Sequence, residues 1–98
     1  MASPKQKNDR VKELYKAFMM IKSENELERF LVDLCTPGEI NAFAERWEIA
    51  RLLHQDQYGY REIAAMTGAS TTTVARVARF LRQEPHHGYQ LILERVSK

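Results

Sequence analysis

The sequence predicts an all-α fold of six helices in a single domain. Apolar residues recur at helical spacing in most of the chain, and helix-capping signals separate one such segment from the next. No segment alternates apolar and polar residues as a half-buried strand would, and no internal repeat occurs. At 98 residues the chain is long enough for one small domain.

The first two predicted helices precede the single cysteine, Cys35. Residues 1–8 are polar, so we expect a flexible arm there. Apolar residues then repeat at helical spacing over residues 9–21 and indicate a helix with a broad face to bury. Ser23 and Glu26 form a capping box, in which each side chain is expected to bind the backbone amide of the other, and it predicts a second helix.

The third predicted helix is apolar around most of its circumference. Thr36, Pro37 and Glu39 combine a capping box with a proline at the first helical position, where its missing N–H costs nothing. The apolar pattern continues to about Asp56. Such a helix is expected in the centre of the protein, with Trp47 as an anchor of the core.

The fourth and fifth helices are predicted within residues 60–82, on either side of a tight turn at Gly68. A glycine at this point can adopt the left-handed conformation that ends a helix. Ser70 is a good N-cap for the fifth helix. The small and branched residues around the turn are spaced as in a DNA-binding helix-turn-helix, and only Thr67 stands where an apolar residue is more usual.

Charge and side-chain type on this segment favour DNA binding. Thr71 and Thr72 fall in the first turn of the fifth helix, the part of a recognition helix that usually meets base edges. Residues 60–82 contain four arginines and one glutamate, whereas the whole chain has a net charge of only +2. This concentration is expected of a surface that meets phosphates. The alternative is that Gly68 is an ordinary helix cap and that the arginines form a solvated face.

A last short helix is predicted after Pro85, because proline ends the preceding helix. Hydrophobic residues make up 44% of the chain, and one small subunit cannot easily cover so many apolar faces. We therefore expect a dimer whose interface completes the core.

The sequence gives little support to other chemistry. The histidines lack metal-ligand spacing, the glycines do not cluster, and no nucleophile stands at an interpretable distance from a base. We expect no enzymatic activity, no metal and no cofactor. The lone cysteine, the absence of a signal peptide and the absence of a membrane-spanning run predict a cytoplasmic protein without membrane association.

Four features follow one another along the chain: the segment LCTPGE, a long helix containing Arg46, and the segments REIAAMTGAS and TVARVARFL. In this order they resemble the Trp repressor superfamily, and most of all its YerC/YecD-type members. The resemblance implies an intertwined homodimer whose core is built from residues 9–57 and 85–96 and whose two helix-turn-helix heads bind a palindromic operator. It places a guanine-contacting arginine on Arg61 and residues that approach bases on Thr71, Thr72 and Ala75. The residues expected to contact DNA are Arg61, Ser70, Thr71, Thr72, Thr73, Ala75, Arg76, Arg79 and Arg82.

The resemblance also implies the position of an effector pocket, formed by Thr36, Arg46, Arg76, Val77 and Phe80. The two arginines match those that sandwich a tryptophan ligand, but Val77 and Phe80 replace smaller residues and occupy the space of an indole. Tryptophan binding is therefore not expected. Either Phe80 fills the cavity and holds the DNA-reading head in place, or the pocket accepts another effector.

Together these features predict a sequence-specific, DNA-binding transcriptional regulator, a repressor that acts as a homodimer. The alternative is a small helical adapter that keeps the fold and binds a protein partner. The modest net charge and the absence of a long basic arm favour that alternative.

Overall fold

The computed structural model describes residues 7–97, which form six α-helices. Their bounds are α1 Lys7–Met19, α2 Glu24–Leu34, α3 Pro37–Gln55, α4 Tyr60–Thr67, α5 Thr71–Arg82 and α6 Gly88–Val96. The all-α prediction is confirmed, and no strand is present in the described range. The chain divides into two compact units, an N-terminal unit up to Pro37 and a C-terminal unit from Gly38 onward.

Helix α1 begins earlier than the sequence predicts. The predicted flexible arm included residues 7 and 8, but Lys7 and Asn8 are already helical. This earlier start places Asp9 in the first turn, where its carboxylate offsets the partial positive charge of the helix N-terminus. The remainder of the predicted arm, residues 1–6, lies outside the described residues.

The predicted capping box at the start of α2 forms with one difference. Ser23 Oγ accepts a hydrogen bond from the amide of Glu26 at 3.1 Å, as expected. The Glu26 carboxylate, however, accepts from the amide of Lys22 at 2.9 Å rather than from that of Ser23. Two backbone amides near the helix N-terminus are thus satisfied, and the start of α2 is well defined.

The N-terminal unit has no fully buried residue within its described part. Phe18 of α1 and Phe30 of α2 meet edge to face, with ring centroids 5.5 Å apart. Other large apolar side chains face solvent, and Tyr15, Met19 and Val32 are exposed by 62%, 79% and 63%. Two short helices with this little burial need a further apolar surface to remain folded.

The C-terminal unit contains the core. Its buried residues are Ile49, Ala50, Leu53, Ile63, Val74, Val77, Ala78, Leu81 and Leu93, which come from α3, α4, α5 and α6. Trp47 is partly buried and packs against this core. Helix α3 nevertheless buries only three of its 19 residues, all beyond Glu48, and Phe43 remains 47% exposed. The first half of this apolar helix therefore contains no fully buried residue.

The turn between α4 and α5 explains the unusual Thr67. Gly68 has φ 80°, the predicted left-handed conformation, and its amide donates to the carbonyl of Ala64 at 2.9 Å. The Thr67 hydroxyl donates to the carbonyl of Ile63 at 2.8 Å and accepts from the amide of Ala69 at 3.2 Å. A polar side chain at this position secures both sides of the turn, which an apolar residue would not do.

Candidate nucleic-acid interface

Two of the hydroxyl groups predicted to contact DNA are used to start α5. Ser70 Oγ accepts from the amide of Thr73 at 3.0 Å, so the predicted N-cap is confirmed. The same oxygen lies 3.0 Å from the Thr73 hydroxyl, and one of the two donates to the other. Thr71 and Thr72 lie between them and are exposed. These two threonines are therefore the hydroxyl-bearing residues of the first turn that project into solvent.

The N-terminal end of α5 is electrostatically suited to an anion. The first turn contains no acidic residue, and the last turn contains Arg79 and Arg82. Glu62 is the single acid of residues 60–82. Its carboxylate accepts from the amide of Gly59 at 3.1 Å, at the start of α4. A phosphate at the N-terminus of α5 would meet amide dipoles without a carboxylate from the same turn.

The two faces of α5 differ sharply in burial. Val74, Val77, Ala78 and Leu81 form its buried stripe. The opposite face exposes polar and cationic side chains, and Arg61 of α4 is also exposed. Of the nine residues predicted to contact DNA, Thr73 is half-buried and the other eight are exposed, namely Arg61, Ser70, Thr71, Thr72, Ala75, Arg76, Arg79 and Arg82.

The Phe80 ring lies against the guanidinium groups of two of the arginines. The guanidinium carbon of Arg76 lies 4.5 Å from the centre of the Phe80 ring, and that of Arg79 lies 5.1 Å from it. Both distances fall within the range of cation–π attraction. His86 stacks on the same phenyl ring, with centroids 6.1 Å apart and an interplanar angle of 18°. The sequence did not indicate this role of His86, since no spacing rule relates it to Phe80.

Arg82 points toward the end of α3. Its Nη2 atom donates to the backbone carbonyl of Leu53 at 3.2 Å and lies 3.9 Å from a carboxylate oxygen of Asp56. Its side chain is 44% exposed. Arg82 thus differs from the other predicted DNA-contacting arginines, because it donates a hydrogen bond to the backbone of another helix.

The structure brings together four of the five residues of the implied effector pocket. Arg46, Arg76, Val77 and Phe80 line a cavity of about 120 Å³, together with Tyr89. The sequence does not indicate that Tyr89 lies at this site. The fifth residue, Thr36, belongs to the N-terminal unit. The cavity is smaller than the roughly 300 Å³ at which small-molecule pockets usually begin.

A wider hollow of about 310 Å³ is lined by Phe80, His86, Gly88 and Tyr89. Residues 7–97 contain no group of three histidine, cysteine, aspartate or glutamate side chains that could hold a metal ion. Over the same range, every helix is too short or too polar to cross a bilayer.

Comparison with known proteins places the chain among relatives of similar length. A profile described as Trp repressor protein matches residues 9–97. Uncharacterized protein YerC of Bacillus subtilis (strain 168) is 38% identical over 86 residues, which are 88% of this chain and 81% of YerC.

Two crystal structures are also similar. One, from Staphylococcus aureus and provisionally assigned as a Trp repressor, has a TM-score of 0.84 and 34% identity, over 91% of this chain and 87% of the other. The second, a TrpR-like protein from Eubacterium eligens ATCC 27750, has a TM-score of 0.85 and 36% identity, over 93% and 92% of the two chains.

Proposed function

This chain belongs to the Trp repressor family, and from that premise we propose that it is a cytoplasmic transcriptional repressor that binds double-stranded DNA as a homodimer. The observation that carries the proposal is the exposed face of α5. That face presents Thr71, Thr72, Arg76 and Arg79 to solvent, and the first turn of the helix contains no acid. These are the groups needed to enter a major groove and bind its phosphates.

In this proposal, α4 and α5 form a helix-turn-helix and α5 is its recognition helix. Thr71 and Thr72 meet base edges through their hydroxyl or methyl groups, directly or through water. Arg61 contacts guanine, as the family resemblance implies, while Arg76 and Arg79 bind phosphates. Ser70 and Thr73 act indirectly, because their hydroxyls hold the first turn of α5 in shape.

We assign the exposed apolar surface of the N-terminal unit and of α3 to dimerisation. A second copy of the chain would cover the side chains that one copy leaves open, including Val32 and Phe43. Two copies related by a two-fold axis would present two copies of α5. Their separation would have to match one turn of DNA, about 34 Å, for both to enter the major groove of a palindromic operator.

We further propose that DNA binding needs no small-molecule effector. Phe80 and Val77 line the small cavity between Arg46 and Arg76, and the Phe80 ring contacts the guanidinium group of Arg76. The phenyl ring thereby orients an arginine that a bound ligand would otherwise have to orient. The Phe80 side chain thus takes the place of an effector, and the extent of DNA binding would depend only on the concentrations of protein, DNA and salt.

A binding assay on random DNA duplexes tests the central proposal. Fluorescence anisotropy at several salt concentrations should show affinity that falls steeply with salt, because each neutralised phosphate contributes about −0.9 to the slope of log K against log salt. Arg76→Ala and Arg79→Ala should each weaken binding for every sequence and make the slope shallower. Arg51→Ala, which removes an exposed arginine of α3, serves as the control.

The same assay separates the repressor from the protein-interaction adapter. An adapter would give no salt-sensitive binding to any duplex. Affinity that is unchanged by both α5 substitutions would contradict the assignment of this face. Selection of bound sequences from a random library then tests the expected two-fold symmetry, since a palindromic consensus should emerge with half-sites about one helical turn apart.

A further inference from the structure

We propose that Arg82 is a positioning residue, which sets the direction of α5 by bonding the end of α3 and makes no contact with phosphate. This inference rests on the proposed DNA-binding function. It changes the role that the sequence predicts for Arg82, since charge and position on α5 alone group this residue with Arg76 and Arg79.

The acceptor of the Arg82 hydrogen bond is one of the last carbonyl groups of α3. Such carbonyls lack the usual amide partner four residues further along their helix, so other donors satisfy them. The Leu53 carbonyl accepts from the amide of Asp56 at 3.1 Å and from Arg82 Nη2 at 3.2 Å. The Leu53 side chain is only 2% exposed, so the bonded peptide is anchored directly in the core.

The backbone hydrogen bond matters more than the nearby ion pair. Asp56 Oδ1 lies 3.9 Å from Arg82 Nη2, and the Asp56 side chain is 91% exposed. An ion pair this long and this hydrated contributes little. Asp56 also has φ 57°, which marks the point where the chain leaves α3 and turns toward α4. Arg82 therefore forms its hydrogen bond close to the point where the chain leaves α3 and continues to α4 and α5.

The other side of the same helix end is held in a similar way. Gln90 of α6 donates from Nε2 to the carbonyl of Leu81 at 2.8 Å. Leu81 and Arg82 are neighbours, so the C-terminal end of α5 is bonded to α3 through Arg82 and to α6 through Gln90. The N-terminal end, with Thr71 and Thr72, faces solvent. Apolar residues from Val74 to Leu81 pack α5 on the core, and these hydrogen bonds to α3 and α6 hold it at the end that lies away from its base-reading turn.

An anchor at one end controls the position of the other end. Helix α5 has 12 residues and is about 18 Å long at 1.5 Å per residue. A change of about 10° at its C-terminal end would move its first turn by roughly 3 Å at that length. Such a displacement exceeds the tolerance of a hydrogen bond to a base edge. Loss of either anchoring bond should therefore weaken DNA binding without removing a contact with DNA.

The slope of affinity against salt distinguishes a positioning arginine from a phosphate-binding one. Arg79 is the matched comparison, because it lies three residues earlier on α5 and carries the same charge. Binding to the selected operator would be measured by anisotropy at several salt concentrations for the wild type, Arg82→Ala, Gln90→Ala and Arg79→Ala. Circular dichroism would first establish that each variant is folded at the assay temperature.

We expect Arg82→Ala and Gln90→Ala to lower affinity roughly 3- to 10-fold at every salt concentration, with the wild-type slope. Arg79→Ala should instead make the slope shallower by about 0.9. A slope that becomes shallower to the same extent in Arg82→Ala would overturn the proposal. Wild-type affinity in folded Arg82→Ala would also overturn it, because the bond would then stabilise the fold without directing α5.

Two further measurements test the role of Arg82 separately from the proposed function. Arg82→Lys keeps the charge but loses the planar fork, so it should lose affinity at the wild-type slope. A phosphate contact would largely survive this change, because a lysine still binds phosphate as a point charge. If the wild type binds no DNA, the proposed function fails and melting temperature still tests the bond. Arg82→Ala should then melt roughly 4 °C lower, and Arg51→Ala, which removes an exposed arginine of α3, should not. Equal melting temperatures would refute the bond itself.

Discussion

At the scale of single residues, side chains of the same type take different roles on α5. Ser70 and Thr73 bond to each other and to the helix backbone, while Thr71 and Thr72 between them face solvent. Among the arginines, Arg76 and Arg79 lie against the Phe80 ring and Arg82 bonds α3. Residue type and helical position predict the exposed face correctly but do not separate these roles.

Replacement of the N-cap tests the structural role of Ser70. Ser70→Ala removes the acceptor of the Thr73 amide and should lower the free energy of unfolding by about 1 kcal/mol. Thr72→Ala, at an exposed neighbouring position, should change it by less than about 0.5 kcal/mol. Urea denaturation followed by circular dichroism measures both. Equal effects of the two substitutions would show that the observed cap contributes nothing.

Free tryptophan should not bind at micromolar concentrations. The cavity between Arg46 and Arg76 is about 120 Å³, and Val77 and Phe80 line it. Isothermal titration of the wild type with tryptophan is expected to give no saturable heat. DNA affinity measured with and without tryptophan should also be equal. A micromolar complex, or tighter DNA binding when tryptophan is added, would refute the proposal that no effector is needed.

At the scale of helices, sequence signals predict where elements begin and end better than how they contact one another. Ser23, Pro37, Gly68 and Ser70 each mark a boundary that the structure confirms, because capping depends on residues close in the chain. The hydrogen bond from Arg82 to Leu53 joins residues 29 positions apart. No local pattern encodes such a bond, and the same is true of the stacking of His86 on Phe80.

The turn at Gly68 provides a test at this scale. Gly68→Ala introduces a Cβ that meets no atom within 4 Å, so the expected loss of about 1 to 2 kcal/mol comes from φ 80° alone. Gly88→Ala is the control, because its Cβ also meets no atom within 4 Å and its φ is not in the left-handed range. The control should be neutral or slightly stabilising, since alanine favours helix. Thermal unfolding of both variants gives the comparison, and equal melting temperatures would contradict it.

At the scale of the whole molecule, apolar burial is unevenly distributed between the two units. The C-terminal unit has a core built from four helices, whereas the described part of the N-terminal unit has no buried residue. The apolar content of the sequence predicts that a second copy is needed. Apolar content alone does not identify the surface, because helical periodicity gives the face to be buried and not the partner that covers it; the family resemblance is what implies residues 9–57 and 85–96.

A pair of matched substitutions on α2 tests the proposed dimer. Val32→Asp adds a charge to an apolar side chain that is 63% exposed in the single chain, and it should shift sedimentation equilibrium toward the monomer mass of 11.4 kDa. Asn25→Asp adds the same charge to an exposed polar position of α2 and should leave the dimer intact. Wild-type protein that sediments as a monomer at micromolar concentration would contradict the dimer.

The uneven burial also has a kinetic consequence. Helices of the C-terminal unit can pack on one another by closing short loops, a process that is fast and intramolecular. In the proposed dimer, helices α1 and α2 would bury most of their apolar surface on encounter with another chain, which is a second-order event. Refolding should therefore show an early phase whose rate is independent of protein concentration and a later phase whose rate rises with it. If the proposed dimer forms, a newly synthesised chain would complete the packing of α3 to α6 before it meets a second copy.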